Sequence, residues 1–108
     1  MSNWVSVGTA ERLTRTGAMQ AVTIGDLSLC VARLENGSLA AFDEWCTHEE
    51  CQLSEGDLEG ERVLCYCHGS EFDVQTGAVL RGPAVEPIRV YDVRVVGDEL
   101  QVRIDETS

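Results

Sequence analysis

Apolar and polar side chains alternate at period two near the end of the chain. Ile88-Arg89-Val90-Tyr91-Asp92-Val93-Arg94-Val95 alternates, and after Gly97-Asp98 the stretch Leu100-Gln101-Val102-Arg103-Ile104 alternates again. That pattern predicts two strands joined as a hairpin. Upstream, Leu27 to Leu34 and Leu39 to Phe42 flank Asn36-Gly37, a strong short-range hairpin signal. Met19 to Ile24 forms another apolar run closed by Gly25-Asp26, and Trp4 to Val7 reads as an opening strand. Ala10 to Leu13 offers at most one helical turn, and no segment sustains a helical period. The prediction is an all-β domain of short antiparallel strands. One domain spans 1–108, with a loop-rich segment of about 44–85 inserted between the outer strands. There are no repeats, linkers or low-complexity tracts.

The inserted segment carries the chemistry. It holds Cys46-Thr47-His48 and Cys65-Tyr66-Cys67-His68, with sixteen residues between His48 and Cys65. One Cys and one His on each of two short turns supply two thiolates and two imidazoles. This is the ligand set of a [2Fe–2S] centre in which two His replace two Cys on one iron. Cys46 and Cys65 would bind one iron, and His48 and His68 the other. Two ferric ions, two sulfides and two thiolates are neutral overall, whereas four thiolates leave the oxidised cluster doubly negative. Neutral imidazoles therefore ease reduction, to roughly −150 to +300 mV against about −400 mV for plant-type clusters.

The same four residues also suit a tetrahedral structural zinc. Zinc fingers usually keep the cysteines in one half and the histidines in the other, whereas here each half is mixed, with Cys first. His48 and His68 are the only two histidines of the chain, so neither reads as an incidental side chain. Iron–sulfur is favoured, with zinc the alternative.

These motifs resemble a known family. Cys46-Thr47-His48, Cys65-Tyr66-Cys67-His68-Gly69-Ser70 and Arg81-Gly82-Pro83-Ala84 look like the three loops that enclose a Rieske cluster. Their order and spacing are similar to the Rieske-type ferredoxins of bacterial ring-hydroxylating (aromatic) dioxygenase systems. Trp4-Val5, Asn36-Gly37-Ser38-Leu39 and Leu53-Ser54-Glu55-Gly56 match more weakly, but in the right order. The resemblance implies a Rieske (ISP-like) fold and one Rieske-type [2Fe–2S] cluster, with Cys46, His48, Cys65 and His68 as ligands. It implies an electron-transfer component rather than an enzyme. Single electrons would pass from an NAD(P)H-dependent flavoprotein reductase, with or without its own iron–sulfur centre, to a terminal oxygenase.

Composition narrows the setting. The longest uncharged stretches are ten residues, too short for a membrane span, and the N-terminus lacks the charged and apolar regions of a signal peptide. A soluble, cytoplasmic carrier is expected, which argues against the anchored respiratory Rieske subunits. Eight basic residues, all Arg, face nineteen acidic ones, for a net charge of −11. Between Asp43 and Asp73 ten acids face Arg62 alone. The plain reading is a solvated acidic surface. The functional one is steering toward basic patches on redox partners, which speeds encounter without tight binding. Glu49 and Glu50, just after His48, are expected near the docking tip. Nucleic acid binding is disfavoured, because phosphate contacts require basic clusters, and a small acidic shuttle is expected to be a monomer.

Three cysteines remain. Cys30, inside the Leu27–Leu34 run, reads as a buried apolar residue. Cys51 and Cys67 each accompany a ligand turn. Respiratory Rieske proteins carry a disulfide at matching positions, whereas dioxygenase ferredoxins typically do not, and reducing compartments disfavour disulfides. A Cys51–Cys67 bridge is favoured, with two thiols as the alternative. By the same resemblance, Ser70 matches a hydroxyl that donates to the cluster in high-potential members, and Phe72 falls where those members have Tyr. The expected potential therefore lies below the respiratory type. Pro83 belongs to the loop expected to cover the cluster, an ordinary turn being the alternative. Trp45 reads as a packing residue rather than an electron relay. Two other functions fit the fold: a small subunit of an assimilatory nitrite reductase, and a non-redox or zinc-binding module. The intact ligand set disfavours both.

Overall fold

The computed structural model describes residues 2–47, 51–67 and 69–105. Among these residues eleven strands run in chain order: β1 Ser2–Thr9, β2 Met19–Ile24, β3 Leu27–Arg33, β4 Leu39–Asp43, β5 Asp57–Glu59, β6 Arg62–Leu64, β7 Glu71–Asp73, β8 Val79–Arg81, β9 Val90–Tyr91, β10 Val93–Val96 and β11 Glu99–Asp105. They form three sheets of order β1-β11-β10, β2-β3-β4-β9 and β5-β6-β7-β8, and every pairing is antiparallel. Single 3₁₀ turns at Ala10–Leu13 and Leu53–Glu55 are the only helical elements among the described residues.

The β2-β3-β4-β9 sheet is the middle layer, buried on both faces. Because successive side chains point to opposite faces, Leu29 and Val31 of β3 face one core with Leu13, Ala41, Leu100 and Val102. Cys30 and Ala32 face the other, with Phe42, Leu53, Val63, Phe72, Val74 and Ile88. This is why Leu27–Leu34 reads as an almost continuous apolar run. Cys30 is fully buried, as its sequence context suggests. Burial, reinforced by the charge of Glu44, pushes its thiol well above the ordinary range, so it stays protonated and packs as a small apolar group.

One expectation needs correction. The alternating run Ile88–Val95 is not one strand. It breaks at Asp92, so that β9 pairs with β4 while β10 pairs with β11. The Asp92 carbonyl accepts the Arg103 N–H at 2.9 Å, and its carboxylate meets the Arg103 guanidinium at 2.8 Å. Two sheets share one alternating segment, and the chain must bend where it leaves the first for the second. The loop-rich segment also carries the small β5-β6-β7-β8 sheet. Each of its strands has three residues, too few for a period-two signal to emerge.

That third sheet is an excursion from the middle layer. The chain leaves after β4 and returns at β9, which pairs directly with β4 through Ala41↔Tyr91 and Phe42↔Val90. Asp43 clasps the exit to the return. Its carboxylate accepts the Arg89 N–H at 3.0 Å and the Tyr91 hydroxyl at 2.8 Å, while its own N–H donates to the Arg89 carbonyl. In the β7–β8 turn, Gly77 has φ +84° and a Cβ there would run into the Ile88 carbonyl. Only glycine fits that position.

Candidate metal centre

Cys46 lies just beyond β4, at the start of the first loop. Two backbone bonds close this loop: Cys46 N–H to the Cys51 carbonyl at 3.0 Å and Leu53 N–H to the Glu44 carbonyl at 2.7 Å. Glu44 is itself buried. Its carboxylate accepts the Ser54 N–H at 3.0 Å, the Ser54 hydroxyl at 2.6 Å and the Gln52 side-chain amide at 3.3 Å, satisfying a charge that burial would otherwise penalise. Nothing in the sequence singled out Glu44, since a lone Glu beside a ligand motif carries no pattern.

Cys65 opens the second loop at the end of β6. Its N–H donates to the Ser70 carbonyl at 2.8 Å, and Gly69 N–H returns to the Cys65 carbonyl at 3.1 Å. These two bonds bring the ends of the loop together, with Gly69 at φ +81°.

The third loop, Arg81 to Glu86, is anchored to both others. Ala84 N–H donates to the Ser70 hydroxyl at 3.0 Å, and the Thr47 hydroxyl donates to the Glu86 carbonyl at 2.7 Å. A Cys51–Cys67 disulfide joins the first loop to the second. The three loops are thus tied pairwise. The Thr47–Glu86 tie escaped sequence reading because thirty-nine positions separate the partners.

At the base of these loops sit two buried thiols, Cys46 at 5% and Cys65 at 3% exposed. They pack with Phe42, Leu53, Phe72 and Ala84. Ser70 is buried and its hydroxyl oxygen is already an acceptor, which leaves its proton to donate. His48, Glu49, Glu50 and His68 lie outside the described residues. Phe72 is buried in β7, opposite Val63 and Val79, and Pro83 follows a cis peptide bond in the third loop. Trp45 departs from expectation: it is 45% exposed, at an isolated backbone bridge to Gln52.

A profile of the Rieske [2Fe-2S] domain matches residues 3–92. The chain belongs to the Rieske [2Fe–2S] family. Among its relatives is the naphthalene 1,2-dioxygenase system ferredoxin component of Pseudomonas putida, 36% identical over 89 residues that cover 82% of this chain and 83% of that one. The anthranilate 1,2-dioxygenase ferredoxin subunit of Burkholderia cepacia is 31% identical over 104 residues, covering 96% and 94%. A solved complex of reduced oxygenase and oxidised ferredoxin in carbazole 1,9a-dioxygenase contains a chain that superposes with a TM-score of 0.82. That chain is 33% identical, with 92% and 91% of the two chains covered.

The residues fit a Rieske [2Fe–2S] cluster. Two thiols outside the disulfide, one at the base of each of two tied loops, are the soft donors that iron–sulfide binds. Their apolar surroundings limit water, and a buried hydroxyl with a spare proton lies on the second loop. Burial and hydrogen bonds to the sulfurs are the means by which such a protein sets a potential.

Proposed function

We propose that this chain is a Rieske electron carrier of an aromatic ring-hydroxylating dioxygenase system, taking electrons from an NAD(P)H-dependent reductase and delivering them to a terminal oxygenase. The whole chain acts as one Rieske domain, with the cluster held in the segment of about 44–85 by Cys46, His48, Cys65 and His68. When bound, the cluster accepts and releases one electron at a time. The observation that carries the reading is the pairwise tie of three loops over two buried thiols, in a chain whose relatives bear dioxygenase ferredoxin names.

The protein's own residues do the rest. The Cys51–Cys67 bridge, Thr47 and Ser70 hold the loops rigid, so that little rearranges when charge arrives. Ser70 places a hydroxyl proton near the sulfurs, and Phe72 withholds a phenolic donor. Tyr66 and Val85, 60% and 87% exposed, lie on the second and third loops and offer apolar contact beside the acidic residues of the excursion. Basic patches around the partners' redox centres would meet that surface. The protein acts in the cytoplasm as a monomer.

Electron paramagnetic resonance tests the cofactor: a signal on one-electron reduction and none when oxidised is expected, whereas a colourless, zinc-containing protein overturns the proposal. Stopped-flow transfer to a ring-hydroxylating oxygenase tests the role. The association rate should fall steeply with ionic strength as screening shortens from roughly 30 Å at 0.01 M to about 8 Å at 0.15 M.

A further inference from the structure

Three sulfurs converge beside the cluster ligands. The Sγ atoms of Cys51, Cys65 and Cys67 all lie within 4.8 Å of one another, and Cys46 is not part of this trio. Cys51 and Cys67 share their bridge, while Cys65 is outside it. Backbone bonds from Cys46 to Cys51 and from Cys65 to Ser70 hold the parent loops independently of the bridge. Around a tetrahedral ion, thiolate sulfurs at about 2.3 Å from the metal stand roughly 3.8 Å apart. The trio therefore needs little more than side-chain rotation to reach that spacing.

We propose that opening the Cys51–Cys67 bridge creates a second metal site, in which the thiolates of Cys51, Cys65 and Cys67 bind a soft, filled-shell divalent cation of the zinc class. A dithiol supplies the opening step: it gives two electrons and two protons, the Cys51–Cys67 bond breaks, and a disulfide forms in the reductant. The cation then displaces three thiol protons and gains three sulfur–metal bonds, with water completing the shell. Three thiolates favour zinc-class ions over magnesium or calcium, which take oxygen ligands.

The site matters because Cys65 cannot serve both metals. This consequence rests on the proposed role of Cys65 as a cluster ligand. With the bridge closed, two of the three sulfurs are withheld and Cys65 is left for iron. With it open, a zinc-class ion competes for the same residue. The closed bridge thereby withholds this additional three-thiolate claim on Cys65, as well as tying the loops.

The test uses the full chain, metal-free and anaerobic, in a bridged form and in a form opened by a dithiol that is then removed. Cadmium(II) is the probe, because its thiolate charge-transfer absorbance grows with each sulfur bound. The opened protein is expected to take one cadmium ion with the absorbance of three thiolates. Opened Cys46→Ser should do the same. The Cys51→Ser/Cys67→Ser double variant should fall to the absorbance of at most two thiolates, those of Cys46 and Cys65. Its binding should weaken by more than about a hundredfold, since even the loss of a ligand's outer partner costs roughly ten- to a hundredfold. Binding that survives the double variant but is lost in Cys46→Ser overturns the proposal, as does equal binding by bridged and opened wild type. Iron content and the paramagnetic signal of the cluster-loaded protein, measured on separate samples, report on the carrier function independently.

Discussion

The Ala84 amide donates a 3.0 Å hydrogen bond to the Ser70 hydroxyl oxygen, which ties the third loop to the second and leaves the hydroxyl proton to donate elsewhere. Ser70→Ala leaves the buried Ala84 N–H without its acceptor and should cost about 1–3 kcal/mol of stability. It should also lower the reduction potential if Ser70 donates to the cluster sulfurs as proposed, because that donor is then lost. Thermal unfolding and redox titration check the two effects separately. Lost stability with an unchanged potential would limit Ser70 to holding the loop.

Phe72 lies fully buried beside the thiol-bearing loops. Phe72→Tyr adds a phenolic donor and should raise the potential. An unchanged or lower potential would remove the proposed tuning role of this position.

Glu71 fastens three strands of the excursion. Its nearly buried carboxylate meets Arg62 of β6 at 2.9 Å and Arg81 of β8 at 3.5 Å. Arg81 begins the third loop, so this cluster sets where that loop starts. Both arginines are half-exposed or more, and water discounts the attraction. Glu71→Gln should therefore destabilise by about 1–2 kcal/mol rather than the roughly 3–5 kcal/mol of a fully buried pair. Denaturant unfolding measures this, and added salt should shrink the difference.

Cys30 and Tyr91 limit stability on the alkaline side. Burial raises the Cys30 thiol well above its ordinary 9.0. Burial, followed by the hydrogen bond to Asp43, raises Tyr91 from 10.0 to about 12. In both cases the folded state keeps a proton that the unfolded chain releases first. Their contribution is therefore complete below pH 9.0 and declines as pH rises above that value. Cys30→Ala should flatten the fall in melting temperature between neutral pH and pH 10. An unaltered slope would exclude Cys30 as its source.

The elements most legible in the sequence were those with long runs. Leu27–Leu34, Asn36-Gly37 and Leu100–Ile104 carry enough residues for periodicity and turn chemistry to specify β3, β4 and β11. Of the proposed ligand motif, the structure describes Cys46 and Cys65, both buried, while His48 and His68 lie outside the described residues. Hidden from the sequence were the three-residue strands of the excursion and the bend at Asp92, where one alternating run serves two sheets.

By itself, then, the sequence determined the β class, the candidate donor set and the net acidity, since each follows from local pattern or from composition. Only the tertiary structure decided which loops are tied and by whom: Thr47 to Glu86, Ser70 to Ala84, Glu71 to Arg62 and Arg81. It also decided that Cys51 and Cys67 converge on Cys65. Such contacts depend on where sheet pairing brings distant segments together, and no local propensity encodes that meeting.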